Sequence, residues 1–176
     1  ISCAIEDSKK RGSASFALTF DLDPDEMFRP GELKKLMTNE DRIRALAASG
    51  ADFVAVLPFT REFASLSPED FLASTFGELA PASIHVGEGF RFGARAKGTE
   101  ETLIEWGSRH SCSVTPHELL CLEGAPVSAT RIRGLLSTGN VEEATKLLGR
   151  PWKVRGTVVS GRGEGAQMGI RTANLS

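Results

Sequence analysis

The fold of this chain is decided by two short apolar stretches, Ser15-Phe16-Ala17-Leu18-Thr19-Phe20 and Phe53-Val54-Ala55-Val56-Leu57. Each has the length and the β-branched and aromatic content of a buried strand. A third strand is predicted at Ser83-Ile84-His85-Val86. Stretches with helical periodicity separate the three, and this alternation implies right-handed βαβ units. We therefore expect an α/β fold with a mostly parallel sheet.

Capping residues place the helices around these strands. Residues 1–12 read as the back half of a helix that ends in a basic turn and Gly12. Thr38 is predicted to cap a helix that stops at Gly50, and Ser67-Pro68 to open the next one. Further helices are predicted over 99–109 and from Asn140 to Gly149.

In parallel sheets of this kind a ligand binds beyond the carboxyl ends of the strands. The rule directs attention to three loops that follow predicted strands, which are residues 21–30, 58–63 and 87–98. The first is rich in Asp and Pro and is predicted to have no regular structure.

The sequence pattern changes after Arg150-Pro151, where the chain is predicted to leave one domain and enter another. Residues 152–160 read as a β-rich run, and the glycine-rich stretch 161–165 follows. We expect a first domain at 1–150 and the start of an all-β domain at 151–176.

Composition excludes several classes of protein. The formal net charge of −2 argues against general binding to nucleic acid or to membranes, and no apolar run is long enough to span a bilayer. Three cysteines without paired spacing and no signal peptide favour a reduced, cytoplasmic protein. The absence of an initiator Met leads us to expect a piece of a longer protein.

The strongest local motif is Val127-Ser128-Ala129-Thr130-Arg131-Ile132-Arg133. Ser128 and Thr130 stand at a predicted helix start, where free N–H groups and the helix dipole favour an anion. Arg133 lies one turn later, from where its guanidinium can reach the same anion and stabilise a transferring phosphate. The alternative is an ordinary capped helix with surface arginines.

Two other segments could bind a planar or polar ligand. Gly87, Phe90 and Phe92 belong to a glycine-flanked aromatic loop, although the rings could equally pack the loop onto the core. Asp21 and Asp23 follow a strand and could bind a metal or a polar ligand, or could simply form a turn.

Thr172 and Asn174 could approach one Mg²⁺ through their oxygens, although the segment in isolation is a weak signal. The three histidines (His85, His110, His117) have no metal-ligand spacing with a cysteine and are interpreted as structural or exposed.

In this order, the segments resemble the bacterial bifunctional riboflavin kinase/FAD synthetase family. The similar segments, which cover nearly the whole chain, are 19–24, 57–71, 86–93, 127–133, 147–152 and 169–175. The resemblance implies a Rossmann-like nucleotidyltransferase domain with a parallel sheet, followed by the start of a β-barrel riboflavin kinase domain. It also implies two activities: phosphorylation of riboflavin to FMN, and adenylylation of FMN to FAD with release of pyrophosphate.

The resemblance also implies roles for single residues. Ser128, Thr130 and Arg133 would hold the ATP phosphates, with Arg133 catalytic. Asp21, Asp23, Gly87, Phe90 and Phe92 would bind flavin or nucleotide, and Thr172 and Asn174 would belong to the kinase Mg-ATP site. The substrates would be ATP and FMN or riboflavin, with Mg²⁺ as cofactor and neither nucleic acid nor membrane as a partner. The oligomeric state stays open.

Four residues depart from the family pattern: Asp23, Gly89, Ala129 and Arg171. The family's His-x-Gly-His loop would precede Ile1, so we expect the parent protein, rather than this chain alone, to be the catalyst. Two other readings stay open: an adenylyltransferase acting on a pantetheine or nicotinamide phosphate, and a non-catalytic flavin- or nucleotide-binding relative.

Overall fold

The two apolar stretches form neighbouring parallel strands in the computed structural model, which describes residues 1–32, 34–160, 169 and 174–175. Strand β1 (Phe16–Phe20) pairs with β2 (Phe53–Leu57) from Phe16↔Phe53 to Phe20↔Leu57. A second parallel pair joins β3 (Ser83–Gly87) to β4 (Ser113–His117), with Gly87 opposite His117. The α/β character predicted from the sequence is therefore confirmed.

The expected single parallel sheet is instead two separate two-stranded parallel pairs. Strands join into one sheet only where neighbouring edges share a hydrogen-bond ladder, and no described ladder links β1 or β2 to β3 or β4. Two small antiparallel pairs complete the strands: β5 (Cys121–Leu122) with β6 (Ala125–Pro126), and β7 (Val158–Val159) with β8 (Asn174–Leu175).

The six predicted helices are all present. They are α1 (Ser2–Arg11), α3 (Asn39–Ala47), α5 (Pro68–Phe76), α6 (Glu100–Arg109), α7 (Ala129–Ser137) and α8 (Val141–Leu148), with the short α2 (Pro24–Phe28) and α4 (Arg61–Ala64) in addition. The caps explain their positions, because Ser67 accepts from the Asp70 N–H and Thr99 from the Thr102 N–H. Asn140 precedes α8 but forms no side-chain capping bond.

Three local predictions are corrected. The 21–30 loop contains α2, because Asp23 caps it and Pro24 is pre-set for a first turn. Strand β4 was not predicted, since Val114 is its one aliphatic residue. Within 152–160 only Val158 and Val159 form a strand, because only these two find a described partner. The predicted stretch 161–165 lies outside the described residues.

The core that supports the loops lies between α5, α6 and the β3–β4 pair. Its buried members are Phe71, Leu72, Ile84, Phe92, Leu103, Trp106 and Cys112. Burial raises the pKa of the Cys112 thiol, which fits a packing role rather than a reactive one.

The chain divides into two compact units. One consists of Ile1–Lys34 with Asn39–Ser128, and the other of Lys35–Thr38 with Ala129–Ser176. In the second unit α7 packs on α8 through buried Ile132, Ala144 and Leu147. The boundary near Arg150 stays a prediction. Among the described helices, none is both long and apolar enough to cross a membrane.

Candidate ligand-binding site

The three loops singled out from the sequence converge on one cavity of about 610 Å³ in the first unit. A volume of this size accommodates an ordinary small-molecule ligand. The lining residues are Phe20, Pro24, Phe28, Phe59, Phe63, Ala64, Ser65, Phe71 and residues 90–96. We call this space the aromatic cavity, because seven of the ten phenylalanines of the chain line it.

The seven rings form a continuous series of contacts. Ring centroids lie 5.0 Å apart for Phe20 and Phe59, 5.9 Å for Phe20 and Phe63, and 5.3 Å for Phe63 and Phe71. Phe71 and Phe92 are 5.2 Å apart and are also members of the core. Such tilted and edge-to-face contacts hold aromatic rings in fixed positions. The wall of the aromatic cavity is therefore anchored in the core.

Hydrogen bonds tie the three loops to one another. The Phe59 N–H donates to the Asp21 carboxylate at 2.8 Å, which joins the first loop to the second. Thr60 caps α4 by accepting from the Phe63 N–H at 3.1 Å, and this helix carries the Phe63 ring to the cavity. The Ala94 N–H donates to the Leu66 carbonyl at 2.7 Å, which joins the 87–98 loop to the start of α5.

The 87–98 loop is tightly folded. A β-bridge links Phe92 to Gly98, and a side chain at Gly98 would meet the Phe92 ring at 2.6 Å. Arg95 and Ala96 have positive φ angles of 56° and 54°, a conformation that costs energy for residues other than glycine. Strain of this kind persists only where surrounding contacts impose it, and it concentrates at ligand sites.

Charge is confined to one part of the wall. Arg91 and Arg95 both line the aromatic cavity and are exposed, whereas no carboxylate occurs among the lining residues that the structure describes. Arg91 also acts on Glu101, whose pKa is lowered chiefly by a hydrogen bond from Thr99. An apolar wall with two guanidinium groups suits a flat aromatic ligand that carries negative charge.

Of the five residues predicted to bind flavin or nucleotide, two line the aromatic cavity and three do not. Phe90 and Phe92 line the aromatic cavity. Gly87 is the last residue of β3, and the Asp21 carboxylate accepts a hydrogen bond from the Phe59 N–H. Asp23 caps α2 at 3.0 Å from the Asp25 nitrogen and lies 3.8 Å from the Arg42 guanidinium. Neither aspartate is among the lining residues.

The residues predicted to bind phosphate lie immediately before α7 and in its first turns. Ser128 is exposed and ends the first unit, immediately before α7. Thr130 is exposed in the first turn of α7, and the Arg133 guanidinium donates to its hydroxyl at 3.3 Å. Thr130 and Arg133 are three positions apart, so their side chains are neighbours on the surface of α7, whereas Ile132 is buried.

The predicted magnesium ligands lie at the end of the chain. Asn174 is in β8 and is exposed, whereas Thr172 and the unusual Arg171 lie outside the described residues. The described part of the chain contains no group of three or more His, Cys, Asp or Glu residues that could hold a metal ion.

Several residues of the cavity wall are not predicted as site residues by the sequence patterns. They are Phe20, Phe28, Phe59, Phe63, Phe71 and Arg95. The sequence does contain a pattern that could have indicated this wall, because phenylalanine occurs in or next to each of the three loops that follow a strand. Phenylalanine is more often a core residue, and the sequence alone does not separate the two roles.

The chain is an α/β protein with a cavity formed by the loops that follow its parallel strands, the place where such folds bind ligands. The family model described as FAD synthetase matches residues 1–131, and the one described as riboflavin kinase matches residues 148–176. The chain belongs to the FAD synthetase family.

Curated relatives carry the name bifunctional riboflavin kinase/FMN adenylyltransferase. The protein of Escherichia coli K12 is 31% identical over 97% of this chain and 55% of its own length. That of Bacillus subtilis 168 is 31% identical over 99% of this chain and 56% of its own length. The chain therefore spans about half the length of the curated relatives it matches.

A solved structure from Streptococcus pneumoniae, described as a macrolide-efflux protein, has a TM-score of 0.84 and 30% identity. The similarity covers 99% of this chain and 57% of that one. The family resemblance inferred from the motifs is confirmed by the two family models and the curated relatives.

Proposed function

We propose that the protein containing this chain makes FAD, by transferring the adenylyl group of ATP to FMN with release of pyrophosphate. Its C-terminal part would supply FMN by phosphorylating riboflavin with ATP. The observation that carries the proposal is the aromatic cavity, formed by three post-strand loops in a chain of the FAD synthetase family.

The shape and chemistry of the aromatic cavity support a flavin as its ligand. Phenylalanine rings offer flat apolar surfaces to a fused ring system, and Phe90, 36% exposed, is accessible to a ligand. Arg91 and Arg95 supply positive charge to a flavin phosphate. Asp21 and Gly87 would act by positioning the loops, since Asp21 accepts from the Phe59 N–H and Gly87 pairs with His117. Asp23 would act by capping α2.

Adenylyl transfer requires charge stabilisation on the phosphates more than covalent chemistry by the protein. We assign this work to the start of α7, where Ser128 and Thr130 offer hydroxyls and Arg133 a guanidinium held at 3.3 Å from Thr130. An FMN phosphate oxygen would attack the α-phosphorus in line, and the pyrophosphate would leave from the opposite side.

Mg²⁺ would accompany ATP in both reactions. Asn174 has an amide oxygen of the kind that Mg²⁺ accepts and is exposed at β8, which fits the assignment. Thr172 would be its companion in the kinase site. We also retain the predicted domains at 1–150 and 151–176, a Rossmann-like first domain, a barrel for the second and a cytoplasmic location.

The test is product analysis of the full-length protein that carries this chain. Incubation with FMN, ATP and Mg²⁺ should yield FAD and pyrophosphate by chromatography, and incubation with riboflavin should yield FMN first. FAD formation from FMN without any phosphorylation of riboflavin would limit the function to adenylyl transfer. Binding of FMN without product would favour the non-catalytic reading, and turnover of pantetheine or nicotinamide phosphates instead would favour the other adenylyltransferases.

A further inference from the structure

Three titratable side chains form a hydrogen-bonded chain outside the aromatic cavity, between α1 and the β3–β4 pair. His85 Nδ1 lies 2.9 Å from His117 Nε2, and His85 Nε2 lies 3.4 Å from an Asp7 carboxylate oxygen. Asp7 is on α1, His85 is in β3, and His117 ends β4. The His85 side chain is 13% exposed, so its two nitrogens depend on these partners.

Asp7 carries the negative charge of the hydrogen-bonded group. Hydrogen bonds from Ser83, Arg11 and His85 lower its pKa to about 2. The Arg11 guanidinium lies 2.8 Å from the Asp7 carboxylate and also donates to the Ser113 hydroxyl at 3.0 Å. Helix α6 packs against β4, and three of its four charged side chains bond elsewhere: Glu100 to the Gly89 N–H, Glu101 to Thr99 and Arg109 to the Glu105 carbonyl. The fourth charged side chain of α6 is Glu105.

The number of protons on the two imidazole rings determines whether both hydrogen bonds, His117 to His85 and His85 to Asp7, can form. A hydrogen bond between two imidazole nitrogens needs one proton for the two. When both rings are neutral, His117 donates to His85 and His85 donates to Asp7. One added proton goes to the free nitrogen of His117 and preserves both bonds. A second added proton places two N–H groups face to face at 2.9 Å on two cations, which repel.

The histidine pair lies directly beneath the start of the 87–98 loop. Gly87 is the register partner of His117, and the Glu88 N–H donates to the His117 carbonyl at 2.7 Å. A separation of the two rings therefore acts on the strand ends from which the loop begins.

We propose that Asp7, His85 and His117 form a proton-responsive latch, which holds α1 and the end of β4 against β3 and opens when both imidazoles are protonated. The effect of the latch on a ligand in the aromatic cavity rests on the proposed function. The latch itself is a property of the unliganded chain.

The latch is tested by NMR of the ¹⁵N-labelled chain, titrated from about pH 8 to about pH 4, a range that extends below the usual one for histidine because the first charge on the pair opposes the second protonation. At the upper limit, long-range ¹H–¹⁵N spectra should show a protonated His117 Nε2 and an unprotonated His85 Nδ1. The Glu88 amide should shift together with the second protonation. A Glu88 amide that stays still while both rings titrate would overturn the proposal, and this measurement needs no variant.

His117→Gln keeps an N–H donor near the same place but does not titrate, so the Glu88 shift should disappear. His110→Gln is the matched control, because His110 bonds to the Trp106 carbonyl at 2.7 Å and has no part in the latch. The shift should persist in this variant. Loss of the shift in both variants, or in neither, would contradict the latch.

Riboflavin is the probe for the ligand effect, because it lacks the phosphate that would itself titrate near pH 6. Fluorescence quenching should show about fivefold weaker binding at the lower pH, the effect of losing about one hydrogen bond, and no such change in His117→Gln. If riboflavin and FMN bind at neither pH, the proposed function fails while the NMR titration still decides the latch. Equal binding at both pH values in the parent chain would contradict the effect on the aromatic cavity and limit the action of the latch to α1 and β4.

Discussion

Gly89 shows how a departure from a family pattern can be understood from backbone geometry. Its φ is +79°, a region that glycine enters freely and that Asn and Asp tolerate better than other residues. The Gly89 N–H donates to the Glu100 carboxylate, which fixes this turn without a side chain. Gly89 therefore serves this turn through its backbone alone.

Phe59 should contribute directly to ligand binding. It lines the aromatic cavity and lies 5.0 Å from Phe20, so Phe59→Ala would remove a flat surface without opening the buried core. We expect FMN affinity, measured by quenching of flavin fluorescence, to fall about tenfold, the scale of a lost aromatic contact.

The matched control is Phe53→Ala. Phe53 is 54% exposed and stacks on Phe16 at 4.9 Å, at the opposite end of β2 from the aromatic cavity. Its FMN affinity should stay within twofold of the parent chain. Equal losses in both variants would mean that Phe59 acts through the fold rather than through the ligand.

Arg133 should contribute to the rate of adenylyl transfer. Arg133→Ala removes the guanidinium next to Thr130 and leaves a good helix former in α7. We expect FAD formation by the full-length protein to slow by about 10²-fold, the usual effect of losing one preorganised charge-stabilising donor. Steady-state rates of pyrophosphate release measure it.

Arg44→Ala is the control for Arg133, because Arg44 forms an exposed ion pair with Glu40 inside α3. Pairs of this type contribute little, so the rate should be unchanged. An unaltered rate in Arg133→Ala as well would remove Arg133 from the reaction.

Two helical glycines should respond in opposite directions to the same substitution. A Cβ at Gly107 in α6 would lie 2.6 Å from the Cys112 carbonyl oxygen and 2.8 Å from Val114. Backbone at that distance cannot move aside cheaply, so Gly107→Ala should destabilise the first unit by about 1–3 kcal/mol. The same substitution at Gly134, in α7, meets no described atom within 4 Å.

Gly134→Ala should therefore stabilise its helix by about 0.5–1 kcal/mol, since alanine loses less backbone entropy on folding. Denaturant unfolding of both variants tests the pair. Stabilisation by Gly107→Ala would show that α6 can move away from β4, contrary to the close contact seen here.

Strand β4 and helix α2 illustrate why some elements escape prediction. Ser113–His117 contains Ser, Thr, Pro and His, and becomes a strand because it pairs with β3 along five residues. α2 is five residues long, too short to display helical periodicity. Both are specified by partners or caps rather than by hydrophobic pattern.

The stability of the whole molecule should depend on acid through Asp52. Its carboxylate accepts from the Ser15 N–H at 2.8 Å and the Ser15 hydroxyl at 2.7 Å, where β1 and β2 begin. These bonds hold the pKa of Asp52 below its ordinary value of 3.8. Because the unfolded state binds this proton more readily, the contribution is complete only well above pH 3.8, at about pH 5, and is lost as pH falls through the lowered folded pKa.

Asp52→Asn should therefore lower the unfolding free energy at pH 7 and flatten its decline as the pH falls below about 5. Ser15→Ala should give a smaller change in the same direction, since the backbone N–H still donates. Denaturant unfolding across this range measures both effects. A decline as steep in Asp52→Asn as in the parent chain would assign the acid sensitivity to other carboxylates, such as Asp7.

Local sequence patterns in this chain determined the alternation of strands and helices, most of the helix boundaries and the order of motifs that identifies the family. They could do so because strand and helix periods, caps and turns depend on residues a few positions apart. The convergence of seven phenylalanines from Phe20 to Phe92 on one cavity depends instead on how the elements pack. So does the contact of His85 with Asp7, 78 positions away, because no short-range pattern encodes the meeting of distant side chains.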